Sequence, residues 1–173
     1  MRHLWLLRHA KSSWDDPNLD DHDRPLAPRG ERAAAAMATH LRRAEVRPQL
    51  VLCSSALLAR RTLGIVLTSL GDRVALEIEI DPELYTFDAD VLLHRLRSVS
   101  DDVGSLLLVG HNPAVQELAL GVAAGGASRD RVVAKLPTAA LVTIALPDDP
   151  WTRLGENDAE IDGLVVPRDL ETR

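Results

Sequence analysis

Apolar residues along this chain fall into short unbroken runs separated by longer amphipathic stretches, and that alternation predicts the elements. Leu4 to Leu7 is an apolar run with polar flanks, the pattern of a strand buried on both faces. Leu50 to Cys53, Ser105 to Val109 and Ala140 to Leu146 repeat the pattern, and Leu76 to Ile80 and Leu164 to Val166 are weaker strands of the same kind. Helical patterns lie between them. Pro28 to Arg43 is Ala-rich, with Pro28 placed for the first turn. Ala56 to Leu70 follows the N-cap residues Ser54 and Ser55 and is stopped by Gly71. Ala89 to Val99 and Pro113 to Ala123 complete the set. Residues 11–29, Asp-rich with Pro17, Pro25 and Pro28, predict a loop, as do Pro82 to Phe87; Gly110 breaks a strand, and Gly125 and Gly126 make a turn.

Strands that alternate with helices predict an α/β layered fold with a largely parallel sheet. With no repeat, low-complexity tract or linker in its 173 residues, the chain is expected to form a single domain over 1–173. Composition adds three constraints. Hydrophobic residues make up 46% and aromatics only 3%, so the core must be aliphatic. A net charge of -6 suits a soluble, mildly acidic protein with no nucleic-acid partner, although a local basic pocket is compatible with it. The one cysteine, Cys53, excludes an intramolecular disulfide and, inside an apolar run, fits a buried thiol better than a nucleophile. The short N-terminal apolar stretch does not fit a signal peptide, and no run reaches the roughly 18 apolar residues of a membrane span. A cytoplasmic location without a membrane partner is the simplest expectation.

In parallel α/β sheets ligands bind beyond the carboxyl ends of the strands. That rule selects Arg8-His9-Ala10-Lys11-Ser12, Ser54-Ser55 and Gly110-His111-Asn112-Pro113. Together they offer an arginine, two histidines, several hydroxyls and two helix N-termini. These are the parts a phosphoryl group needs: positive charge and N–H donors on its oxygens, and a nucleophile in line with the leaving group. A neutral imidazole at His9 can attack phosphorus, the adjacent Arg8 helps to keep it neutral, and His111 can donate to the phosphoryl oxygens. Taken singly, each feature has an ordinary explanation as a surface or core residue, and His3, His40 and His94 are read that way. His9, His22 and His111 could in principle hold a metal, but no metal-ligand spacing accompanies them and none is expected.

In combination the segments resemble the histidine phosphatase superfamily, and within it the small SixA-type phosphohistidine phosphatases. The resemblance covers nearly the whole chain. Leu6 to Ser12 is similar to the family's R-H-G/A signature, Asp23 to Gly30 to the D-x-R-P-L-x-x-x-G segment, and Leu107 to Pro113 to the second-histidine motif. Lys135 to Ala140 and Pro167 to Leu170 are similar to the C-terminal pattern. The resemblance implies a three-layer α/β/α fold with a central, mostly parallel mixed sheet, and neither a metal nor an organic cofactor. It implies His9 as the phosphorylated nucleophile, Arg8 and Arg24 as phosphate ligands, His111 as a donor, Asn112 offering its backbone N–H, and Ser12 as a further phosphate-binding hydroxyl.

One departure stands out. The family's S-x-x-x-R-A-x-x-T segment is here Ser54 to Thr62, with Leu58 where a phosphate-binding arginine belongs. Arg61, three residues on and on the same helical face, is the expected partial substitute, and Arg60 projects from a different face. Glu83 is either a general acid for an alkoxide leaving group or a solvated loop charge. The resemblance implies hydrolysis of phosphohistidine on a protein, or of small phosphomonoesters. A broad small-molecule phosphomonoesterase and a phosphate- or phosphoprotein-binding pseudoenzyme are the alternatives.

Overall fold

Leu4 and Leu6 point to one side of the first strand and Trp5 and Leu7 to the other, and the two sets belong to separate apolar cores. The whole architecture follows from that split. The computed structural model describes residues 1–70, 76–155 and 159–171. Its strands are β1 (Arg2–Arg8), β2 (Leu50–Ser54), β3 (Glu77–Asp81), β4 (Ser105–Gly110), β5 (Ala123–Gly125), β6 (Leu141–Leu146) and β7 (Ala159–Val165). They form one sheet in the order β3-β2-β4-β1-β6-β7-β5. β6 pairs antiparallel with both β1 and β7, and the other pairings are parallel. The sheet is therefore mixed but mostly parallel, as expected.

Helices α1 (Pro28–Arg43) and α2 (Leu57–Leu70) cover the Trp5–Leu7 face. Helices α3 (Ala89–Arg97), α4 (Ala114–Val122) and α5 (Arg129–Ala134) contribute to the core on the Leu4–Leu6 face. A short α6 (Pro167–Leu170) packs on α1. The strands were legible because a strand covered on both faces has no polar alternation to keep. Each buried leucine in these cores is worth about 1.5–3 kcal/mol over its exposed state. The predicted span of α1 matches the observed one, because Pro28 sits at its first position and Gly30, Ala34, Met37, Ala38 and Leu41 make its buried stripe.

Other boundaries differ. β4 runs through Gly110, β7 begins five residues before the predicted Leu164, and α5, α6 and the edge strand β5 were not anticipated. The proposed stop at Gly71 lies outside the described residues. Cys53 is fully buried, and burial pushes its thiol up to about 12, so it behaves as a core residue.

After β1 the chain is tied to the segment that leads into α1. Ser12 bridges Leu26, Ser13 N–H donates to the Pro25 carbonyl, and Ala27 N–H donates to the Lys11 carbonyl. Gly30 then lies directly on the Lys11 backbone, where a Cβ would overlap the carbonyl oxygen. Gly30→Ala is therefore expected to cost about 1–3 kcal/mol, by overpacking against a backbone that cannot rotate away. Urea denaturation checks this, and an unchanged midpoint would mean that the Lys11 segment retreats freely.

Candidate active site

β1 and β4 are parallel neighbours with Arg8 opposite Gly110, so the residues that follow, His9 and His111, leave the sheet side by side. The His9 N–H donates to the Gly110 carbonyl at 3.0 Å, and the two imidazole centroids are 5.0 Å apart. β2, on the far side of β4, brings Ser54 to the same edge. The three segments selected from the sequence do converge.

The Nδ1 of His9 lies 2.7 Å from the Ala10 carbonyl oxygen. A carbonyl only accepts, so Nδ1 carries the proton and Nε2 keeps its lone pair. The Ala10 peptide is itself held, because its N–H donates to Thr62 Oγ1 at 3.0 Å and that hydroxyl donates to the Leu58 carbonyl. From the other side Ala139, with a left-handed φ of 59°, donates its N–H to the carbonyls of both Arg8 and His9. The His9 pKa is lowered, chiefly by burial. The Ala10 carbonyl and Asp21 oppose the shift, and the charges of Arg8 and Lys11 support it.

His111 is buried, and its imidazole is pushed down to about 3, first by burial and then by His9, His22 and Arg8. Its Nε2 lies 2.7 Å from Ser54 Oγ, which also accepts the Ala56 N–H. Among the described residues Nε2 is the acceptor available to the Ser54 hydroxyl proton, and that donation places the imidazole proton on Nδ1. Nδ1 is buried and has no partner among the described residues. The same holds for Arg8 Nε and Asn112 Oδ1. Arg8 and Asn112 are both anchored on one atom, the Leu136 carbonyl oxygen, at 2.8 and 3.2 Å. Three buried polar atoms left open around one pair of histidines mark a place built for a polar ligand.

Aromatic rings close the site from the β3 side. Tyr85 and Phe87 meet His111 edge-on at 5.2 and 6.0 Å, and Tyr85 also meets His22 at 4.9 Å. His22 Nε2 lies 3.0 Å from Ser55 Oγ, and the Tyr85 hydroxyl donates to Asp21 at 3.4 Å. Sequence reasoning missed Tyr85 and Phe87 as site residues. A signal was present: they are the chain's single tyrosine and single phenylalanine, two residues apart.

Not every anticipated residue faces the histidines. The guanidinium of Arg24 is buried under Trp14, 3.7 Å from the ring centroid, and donates to the carbonyls of Asp16, Pro17 and Leu19. Its two terminal nitrogens thereby clamp the 16–19 loop, while its Nε is buried without a partner among the described residues. Leu58 is packed in the core with Ala10 and Ala56. Arg61 is exposed and makes no hydrogen bond or ion pair among the described residues. Arg60, the residue set aside, reaches back along its helix and donates from Nε to the Ser55 carbonyl at 2.8 Å. Ser12 is half-buried and bridges Leu26, and Glu83 is exposed on the turn before Tyr85. No group of three or more metal-ligating side chains is assembled among the described residues.

The family model of the histidine phosphatase superfamily (branch 1) matches residues 4–96. An uncharacterised protein of Mycobacterium leprae is 33% identical over 168 residues, spanning 94% of this chain and 100% of its own. Two solved structures, described as candidate phosphohistidine phosphatases SixA, resemble it over nearly the full chain. The one from Nakamurella multipartitia is 26% identical, with a TM-score of 0.81 over 96% of both chains. The one from Agrobacterium tumefaciens is 25% identical, with a TM-score of 0.79 over 96% of this chain and 98% of its own.

Proposed function

This chain belongs to the histidine phosphatase superfamily, branch 1, and from that premise we propose that it hydrolyses phosphohistidine on a protein, or small phosphomonoesters, through a covalent phospho-His9 intermediate. The observation that carries the reading is the His9 tautomer. With Nδ1–H committed to the Ala10 carbonyl, the free lone pair is on Nε2. In the first step Nε2 forms a bond to phosphorus while the bond to the leaving group breaks, and the leaving group departs with its electron pair and takes up a proton. In the second, water attacks the phosphorus, the P–N bond breaks, Nε2 recovers its lone pair and inorganic phosphate leaves.

Arg8 brings positive charge to the transferring oxygens with its open Nε, and His111 brings the Nδ1–H that Ser54 directs. Asn112 contributes its backbone N–H and Ser12 its hydroxyl. The likeness to the SixA structures supports phosphohistidine as the substrate, and the leaving-group chemistry agrees. An imidazole ring titrates near neutrality and can leave in its protonated, neutral form, whereas an alkoxide needs an acid at the moment of cleavage. Exposed Glu83 is poorly placed to be held as that acid. We expect kcat/KM for a phosphohistidine-bearing protein to exceed that for an aryl phosphate by at least about tenfold. Parallel assays of released phosphate check this, and equal values would favour the broad phosphomonoesterase.

The missing arginine has a substitute in Arg60, whose guanidinium returns to the strand end at Ser55. Arg60→Ala is expected to lower kcat/KM about tenfold and Arg61→Ala to leave it within about twofold, as for a positioned and a solvated cation. Steady-state kinetics of the two variants decides between them; the reverse order would restore Arg61.

A further inference from the structure

On the β6–β7 side of the same sheet edge lies a second hollow, with a volume of about 520 Å³. Its rim carries Lys11, Arg29, Arg131, Lys135 and Arg168, contributed by the segment after β1, by α1, by α5 and its end, and by α6. Arg131 is paired with Asp169 at 3.0 Å, and the other four form no ion pair among the described residues. Glu171 is the acidic residue among those that line the hollow. The floor is apolar, with Ala33, Ala134, Leu164 and Val166. So dense a positive rim in a chain of net charge -6 focuses the field at one place.

The opposite flank has the opposite sign. Asp15, Asp16, Asp20, Asp21 and Asp23 are exposed on the 15–23 loop, which touches Tyr85 through Asp21 on the β2–β3 side. The histidine pair thus sits between an acidic flank and a basic hollow. Lys11 joins the hollow to the nucleophile, because it follows His9 by two residues, at most about 7 Å of extended chain.

The geometry points to the hollow as the docking site for an acidic segment of the phosphorylated protein, next to its phosphorylated residue. An apolar side chain of that segment enters the floor, and flanking carboxylates meet the four unpaired cations. The acidic loop repels the same segment and so orients it across the site. This rests on the phosphatase reading for its effect on turnover, but not for the binding itself.

The test uses two phosphohistidine peptides that differ only in flanks, Glu-Leu-Glu against Gln-Leu-Gln, with the full chain and its Arg29→Glu/Arg168→Glu variant. For the acidic peptide the variant should raise KM at least about tenfold with kcat unchanged, and added salt should narrow the difference. Its KM for the neutral peptide and for an aryl phosphate should not move. Equal KM values for the two peptides with the unaltered chain, or a rise for both with the variant, would overturn the proposal. If no phosphate compound is turned over, the phosphatase reading fails, and fluorescence polarisation of the unphosphorylated acidic peptide decides alone. Binding that the variant loses upholds the docking site, and no binding, or 4-methylbenzoate binding as tightly as the peptide, rejects it.

Discussion

His9→Ala is expected to lower turnover by at least about 10⁴-fold, because the proposed route runs through a covalent bond to its Nε2. The same variant should take up no acid-labile phosphate from a labelled phosphodonor, while the unaltered chain does. Stability should change little: His9 is half-buried, and its side chain gives one hydrogen bond, to the next residue's carbonyl. A variant that still accepts label would move the nucleophile elsewhere, and one that keeps its rate without label would replace the covalent route by direct attack of water. The comparison isolates chemistry from folding because the Ala10 peptide and the Ala139 N–H, which fix the backbone here, are untouched.

His111→Gln is expected to lower kcat by about 10²–10³-fold, the loss typical of one oriented donor to a developing charge. It should also change how stability depends on pH. Between the ordinary imidazole value of 6.5 and about 3, the unfolded chain binds a proton at position 111 and the folded chain does not. The stability held by His111 is therefore complete above pH 6.5 and is lost as the pH falls through this window, by up to about 1.4 kcal/mol per unit. Glutamine does not titrate, so the variant should show a flatter profile. Urea denaturation at pH 7 and pH 4.5 checks this, and parallel profiles for the two proteins would show that His111 is protonated no differently in the fold.

The parts of the molecule that were legible beforehand are those where one local signal suffices. Leu4 to Leu7 and Ser105 to Val109 announce strands covered on both faces, and the strand-end rule then brings His9 and His111 together. What was hidden depends on distant packing. The edge strand Ala123 to Gly125 and the first half of Ala159 to Val165 beside it consist largely of small or charged residues with little apolar signal. The face argument chose Arg61 because, three residues after Leu58, its side chain can tilt back toward the strand end. The long Arg60 side chain instead runs back to the Ser55 carbonyl, and the face it leaves from does not decide where it ends. The contacts of Arg24 were hidden for a related reason: a loop that exposes three carbonyls on one side needs donors, and the motif arginine supplies them. Tyr85 and Phe87 enter the site only because the turn after β3 folds across the strand ends.

The register between β1 and β4, unbroken from His3 opposite Ser105 to Arg8 opposite Gly110, also limits how this molecule can vary. Deleting or inserting one residue in either strand turns over everything beyond it, exchanging the Leu4–Leu6 set for the Trp5–Leu7 set and sending one imidazole to the wrong face. Point changes at exposed positions leave the pairing alone. In descendants of this sequence the two strands can therefore drift in composition but not in length, unless they lengthen together by whole two-residue repeats; insertions belong in the loops, where no side chain's facing is at stake.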